Sequence, residues 1–556
     1  MDTYRAFLAI IISFVILLGY QYLFVGFDQP VAVEPQPSAT TGTASEDAVP
    51  SPTAPAQSAV ATQPTLPAVP PPAYDRLPGQ VVVETDLYTA VISEDGGTIQ
   101  SFVLKGYSDT LESDSTGVEL VKVSPSQGLP LQFSWGSAVA PQVLFESPVK
   151  EVKLSAGKTI GELRMVADAG NGLVIERLFT FDNSSYLIDL AVKIVNTSET
   201  ILQGVPQLHQ VNAPFEGVAS PVNNFLFAGP AAFINGTLEE VSRGDFQDAP
   251  KTLQGSIEWA GYKGNYFLCA LVPLGDNGTS FTMQGTEELT KTFLAGNLDT
   301  LQPGAELVYK YHVFYGPKIL GMLKDIGFNL DKALNFGWFD IIAKPTLWLL
   351  NMFYGVFHNY GVAIIMVTVL FKAAFWPISQ KGMKSMKNMQ KLQPKMVKIK
   401  EKYKGDPARM NQEVMNLYKT YKVNPLGGCL PMVLQIPVFF ALYKVLLQSI
   451  ELRHAPFMLW ITDLSAPDRL WIGFDIPFLG GLPVLTLLMG ASMFFQQKLT
   501  PTTADPMQQK IMMLLPVVFT FMFLNFASGL VLYWFVNNLL SILQQYLINR
   551  DSKKTA

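Results

Sequence analysis

Gly361-Val-Ala-Ile-Ile-Met-Val-Thr-Val-Leu-Phe-Lys-Ala-Ala-Phe-Trp-Pro-Ile378 decides what kind of chain this is. Apart from Thr368 and Lys372 it is apolar. With Ser379 it is a helix of roughly 28 Å, against a bilayer core of about 30 Å. A lysine inside such a span costs roughly 2.5–3.5 kcal/mol on insertion scales. Lys372 precedes Lys381 by nine residues, which places it about 13 Å inside the boundary. Either its ammonium snorkels to the headgroups, or it lines a water-filled cavity within a helix bundle. Thr368, one turn earlier, would line the same cavity.

The chain continues into Gln380–Pro425, which carries twelve Lys/Arg and three Asp/Glu, a net +9 in a chain of net −5. Lys384, Lys387, Lys391, Lys395, Lys398 and Lys402 recur at helical spacing on one face, beside a stripe of Met386, Leu392, Met396, Ile399 and Tyr403. Gly405 can end this helix, Asp406 can cap a second, and Pro407 suits its first position. The reading is a helical hairpin at 380–425, with Pro394 kinking or beginning its first helix. The basic face either sets topology or meets anionic lipid, ribosomal RNA or a nascent chain.

Further apolar regions are Gly427–Leu447, Phe478–Phe495 and Ile511–Ile548. The last is too long for one span, and Asn525-Phe-Ala-Ser-Gly529 can divide it. With Ala6–Phe27, an uncleaved anchor after Arg5, the count is six spans. The positive-inside rule puts the hairpin and both termini in the cytoplasm. Polar residues recur in the later spans: Gln435, Gln496 and Gln497, then Asn537, Asn538, Gln544 and Gln545, with Trp534 above them. They serve either as glue between helices or as the wall of a polar interior.

Residues 28–79 hold 12 of the 38 prolines and read as a linker. Residues 80–316 read as a β domain outside. Gln80–Ile92 is strand-like, and Arg177–Phe181 and Tyr186–Val195 flank the turn Asp182-Asn-Ser-Ser185. A sandwich is expected. Residues 317–360 contain the aromatic, sparsely charged segment Asn335–Lys344, which fits a helix in the membrane interface. Residues 361–548 form the five-span core, and 549–556 a short basic tail.

Charged residues are 15% of the chain against roughly 25% in soluble proteins. Two cysteines, four scattered histidines and the absence of HExxH or GxxxxGK[ST] leave no visible ligands for zinc or P-loop chemistry. No cofactor and no enzymatic activity is expected.

Asn424-Pro-Leu-Gly-Gly-Cys-Leu-Pro431, Glu451-Leu-Arg-His-Ala-Pro-Phe457, Pro501-Thr-Thr-Ala-Asp-Pro-Met-Gln-Gln-Lys510 and Ser528-Gly-Leu-Val-Leu-Tyr533, in this order, resemble the YidC membrane protein insertases of Gram-negative bacteria. The resemblance implies a polytopic α-helical membrane protein, with a five-helix insertase core and a large periplasmic β-supersandwich like that of sugar mutarotases. It implies a hydrophilic groove open to cytoplasm and lipid, lined by Lys372, where the family usually has arginine, and by Thr368, Gln435, Gln497 and Trp534. It implies a hydrophobic slide at Ile436 and Met522, and hairpin contacts through Lys384, Lys387, Lys391, Lys395 and Lys398. The implied partners are nascent inner-membrane proteins, the Sec translocon with its accessory SecDF, the bilayer and the ribosome. The rival is a secondary transporter with Lys372 at its substrate site.

Overall fold

The computed structural model describes residues 77–109, 117–136, 143–215, 227–275, 278–286, 288–421, 423, 430–477, 479–500 and 506–554. The anchor at 1–27, most of the linker, and parts of the motifs at 424–431 and 501–510 lie outside them.

Period-2 patterning builds the β domain. In Ile160–Asp168 every second residue is buried, from Gly161 to Ala167, and the others face solvent. Its partner Leu173–Asp182 alternates in the same way. The Asp182 carboxylate then accepts from the Ser184 N–H at 2.8 Å and hydroxyl at 2.7 Å, turning the chain into Leu187–Asn196. Phe267–Leu274 lacks this alternation because it is buried almost throughout, as a covered strand must be.

Among the described residues the largest sheet has eight strands. In spatial order they are Thr237–Glu240, Gly229–Ile234, Ile257–Lys263, Phe267–Leu274, Glu306–Pro317, Leu187–Asn196, Leu173–Asp182 and Ile160–Asp168. Two five-stranded sheets pack against it. Phe102 of one lies 5.3 Å from Tyr315, centroid to centroid, and Trp135 of the other donates to the Tyr309 hydroxyl at 2.8 Å. Arg177 sits fully buried where they meet. It donates to the carbonyls of Gly96 at 2.7 Å and Leu131 at 2.8 Å, and burial lowers its pKa to about 9. Gly97, at φ +60°, permits this approach: a β-carbon there would stand 2.9 Å from Arg177 Cδ.

Past Pro317 the chain becomes helical. Helix α1 (Leu320–Ile326) still packs on the β core, and the handover falls between Ala333, in that core, and Leu334, in the helical one. A short 3-10 turn at Gly337–Phe339 leads into α2 (Asp340–Phe357), which takes in the second half of the expected interfacial segment Asn335–Lys344. Then come α3 (Tyr360–Lys402), α4 (Pro407–Thr420), α5 (Leu430–Gln448), α6 (Val484–Leu499), α7 (Pro506–Met522) and α8 (Ser528–Lys554). The long apolar region breaks at Phe523–Ala527, where Asn525 ends a 3-10 turn.

Two helices, α3 and α4, meet around Gly405 and Asp406 in the hairpin region. The span and the first hairpin helix are one continuous 43-residue helix, α3, which carries Pro377 and Pro394 internally. Asp406 caps α4 by accepting from the Arg409 N–H at 3.0 Å, with Pro407 at the first helical position. By length and composition α3 can cross a bilayer, and residues 434–448 and 512–525 are shorter apolar helices. Residues 449–477 and 479–483 fold over the end of the bundle opposite the hairpin. The Ser528 and Gly529 N–H groups donate to Ala466 and Leu464 of this segment, and Asn359, capping α3, donates to the Phe457 carbonyl at 2.8 Å. Arg453 ties it to the β domain through Asp109 and the rings of Tyr266 and Phe267.

Candidate functional site

One face each of α3, α5 and α8 encloses a cavity of about 40 Å³. Thr368, Phe371, Lys372, Phe375, Ile378 and Ser379 line it from α3, Leu434, Gln435 and Val438 from α5, and Tyr533 and Asn537 from α8. Its wall is mixed: apolar rings and branched chains, with a cation and several neutral polar groups between them.

Lys372 is the charged group of that wall. Its Nζ donates to the Ser541 hydroxyl at 2.6 Å and approaches the Asn537 Oδ1 at 3.4 Å. Among the described residues no carboxylate lies within ion-pair distance of it. Neutral acceptors position an ammonium without cancelling its charge, so its attraction for an anionic or carbonyl group is retained. Thr368 is buried and donates to the Ile364 carbonyl at 2.6 Å, within its own helix. Gln435 reaches the Tyr533 hydroxyl at 3.4 Å.

The polar residues of α8 separate by helical spacing. Asn537, Ser541 and Gln544 face α3, where Gln544 accepts from the Ser379 hydroxyl at 3.1 Å. Asn538 and Gln545 instead join α8 to α6, through Ser492 at 2.9 Å and the Leu499 carbonyl at 2.6 Å. The polar residues of α8 thus divide between two faces, one toward α3 and one toward α6. Ser541 was not among the residues singled out from sequence, although its position four after Asn537 could have found it.

Two expected groove residues lie outside this cavity wall. Trp534 packs into an aromatic cluster with Phe439, Phe519 and Phe523, at centroid distances of 4.9, 6.0 and 5.2 Å. Gln497 sits in the last turn of α6, half-buried. Of the two slide positions, Ile436 is 48% exposed on α5, in line with Phe440. Met522 is partly buried against the helical core, and the residue projecting from that turn of α7 is Phe521, 71% exposed.

On the hairpin, Lys384, Lys391, Lys395 and Lys398 are exposed and Lys387 is half-buried. Lys395 bonds the Tyr421 hydroxyl and stands 4.3 Å over its ring, so it clamps α3 to the end of α4. Leu392 and Met396 are buried beside it, and the Tyr418 hydroxyl contacts the Met396 sulfur at 3.2 Å.

Residues 352–555 match the family described as 60Kd inner membrane protein, and residues 80–349 match the YidC periplasmic domain. The chain is 39% identical to the membrane protein insertase YidC of Syntrophus aciditrophicus, with 99% of each chain covered. It is 38% identical to that of Geotalea daltonii, with 98% of this chain and 99% of that one covered. A solved structure of an active YidC insertase with its first transmembrane domain resolved is 20% identical, at a TM-score of 0.36, covering 86% of this chain and 95% of that one.

Proposed function

The chain belongs to the YidC family of membrane protein insertases, and on that premise we propose how its residues perform insertion. The protein is an inner-membrane insertase with a periplasmic β domain, and its clients are nascent membrane proteins in the bilayer.

The physical problem is to carry a polar segment across about 30 Å of hydrocarbon. The cavity beside Lys372 is a polar station inside that thickness. An acidic or carbonyl-rich client segment exchanges with Ser541 and Asn537 for the ammonium, while the client's apolar helix leaves along the exposed faces of α5 and α7, at Ile436 and Phe521. Met522 supports that surface from behind, and Gln497 and Trp534 hold the helices around the cavity. Burial of the client helix, and the membrane potential acting on its charges, drive the step. The observation that carries this reading is a lysine held by neutral acceptors in a cavity between apolar helices.

The remaining organisation belongs to the same proposal. Six spans, counting residues 6–27, place both termini and the hairpin in the cytoplasm. Lys384, Lys387, Lys391 and Lys398 then meet anionic lipid, the ribosome or the emerging client. The Sec translocon with SecDF takes part for clients that need it.

The test uses purified protein in liposomes and a client of one or two spans, read by protease protection. Protected client should accumulate well above protein-free liposomes. Equal protection in both, repeated with further clients and with Sec present, would overturn the proposed mechanism.

A further inference from the structure

The segment that folds over the helix ends carries an apolar tip that client insertion does not use. Leu470-Trp-Ile-Gly-Phe474 contains no charged residue, and Trp471, Ile472 and Phe474 are all exposed, Trp471 and Phe474 each at 62%. Leu470 and Leu482 close the loop by exchanging two backbone hydrogen bonds of 2.8 Å. Its base is tied to two helices. Arg469 donates to the Leu524 carbonyl at 2.8 Å and to Asn525 Oδ1 at 2.9 Å, just past the end of α7. Asp468 accepts from the N–H groups of Leu485 and Thr486 in the first turn of α6. The base therefore lies across the ends of α6 and α7 remote from the hairpin, and those helices set the level of the tip.

Helix length says what that level is. In α6 the rise from the exposed Lys498 to Val484 is about 21 Å. In α7 the rise from the exposed Lys510 to Met522 is about 18 Å, and the 3-10 turn Phe523–Asn525 adds about 6 Å. The hydrocarbon core is about 30 Å thick. With both lysines at the boundary nearer the hairpin, both helices end roughly 6–9 Å short of the other boundary. A loop built on those ends starts at the depth of lipid. The exposed Leu487 and Leu488 of α6 lead up to it, so the apolar surface of the helix continues into the tip.

We propose that Trp471, Ile472 and Phe474 form an interfacial anchor that enters the lipid leaflet on the β-domain side and holds the short helices α6 and α7 at a fixed depth. The inference rests on α6 and α7 spanning the bilayer, and is separate from client insertion at Lys372. An indole suits the headgroup boundary, with an apolar ring and one N–H to satisfy. Asp475, exposed beside Phe474, keeps the tip at that boundary, because a carboxylate is costly deeper in hydrocarbon. Taking three large apolar side chains out of water favours the inserted position. It also completes an apolar belt that the two helices alone leave short.

The experiment places a nitroxide spin label on the full chain in liposomes and compares its collisions with oxygen, which concentrates in lipid, and with a water-soluble nickel chelate. Cys429 is replaced by Ser, and Cys269 stays because it is buried. The reporters are Phe474→Cys and Ile472→Cys. Leu488→Cys on the exposed face of α6 is the lipid reference. Glu199→Cys is the water reference, exposed just beyond Val195, which pairs with Glu306 at the end of its strand remote from Pro317. The oxygen-to-nickel ratio at both reporters should exceed that at Glu199→Cys at least fivefold and approach that at Leu488→Cys. Reporters that match Glu199→Cys while Leu488→Cys reads as lipid would overturn the anchor alone. Leu488→Cys reading as water would overturn it together with the spanning of α6. Reporters reached by neither reagent would also overturn it, by showing the tip covered by a second copy of the chain.

Discussion

Lys372 on α3 donates a hydrogen bond of 2.6 Å to Ser541 on α8, 169 residues away in sequence. This contact holds the ammonium between α3 and α8, beside the cavity that Lys372 and Asn537 line. Charge should matter more than shape here, because the acceptors are neutral. In the liposome insertion assay Lys372→Arg should retain most activity, and Lys372→Ala and Lys372→Glu should lose most of it. Ser541→Ala removes one bond worth about 0.5–1.5 kcal/mol and should slow insertion about threefold to tenfold. If all four variants match wild type, Lys372 plays no part in insertion.

Gly490 lets α6 and α7 touch. A β-carbon at this position would stand 2.0 Å from Thr520 Oγ1, which donates to the Pro516 carbonyl. Small residues allow such close approach between membrane helices. Gly490→Leu should destabilise the core by about 1–3 kcal/mol through overpacking, seen as a lower melting temperature in detergent. Gly490→Ala should do so less, and adding Thr520→Ala should recover part of the loss. An unchanged melting temperature for Gly490→Leu would refute the packing account.

His209 ties β-domain stability to acid. It is buried, lies 3.0 Å from the Ser134 hydroxyl, and has its pKa lowered to about 4, by burial first and the charge of Lys291 second. An unfolded histidine titrates near 6.5. Above that value both states are neutral and the stability is complete. As pH falls from 6.5 toward 4 the unfolded chain binds a proton that the native one refuses, for a loss of roughly 3 kcal/mol. Thermal unfolding of the full chain at pH 7 and pH 4.5 should show this loss, and His209→Gln should flatten it. An identical pH slope in the variant would remove His209 as the cause.

Asp468 caps a helix that begins sixteen residues later. Its Oδ2 accepts from the N–H groups of Leu485 and Thr486, and its Oδ1 from the Trp460 indole at 2.6 Å. Pro483, at the cap position, makes no side-chain cap bond. Asp468→Ala should cost about 1–2 kcal/mol, and Asp468→Asn less. Equal melting of Asp468→Ala and wild type would show that α6 needs no such cap.

The features legible in the sequence were those set by local chemistry. The turn at Asp182–Ser185, the Asp406 cap and the helix break at Asn525–Gly529 depend on neighbours a few residues apart. What stayed hidden depends on distant partners. Arg177 reads as an ordinary strand residue until its carbonyl partners arrive from Gly96 and Leu131. Hydropathy alone could not sort Asn537 from Asn538, because only packing against α3 and α6 tells their faces apart. Trp534 sits between polar neighbours in sequence, but its ring lies among the aromatics. The continuity of α3 was hidden for another reason. Proline interrupts a helix ladder by roughly 3 kcal/mol or more, and the sequence does not show what offsets that loss at Pro377 and Pro394.

That continuity has a mechanical consequence. From Lys372 to Lys395 is about 35 Å of one rod, at about 1.5 Å per residue. One end carries the ammonium in the cavity wall, and the other the lysine clamped to Tyr421. A body that docks on the hairpin and tilts it therefore works a crank whose far arm is the cavity wall, and under the proposed mechanism a client in that cavity would push back along the same shaft.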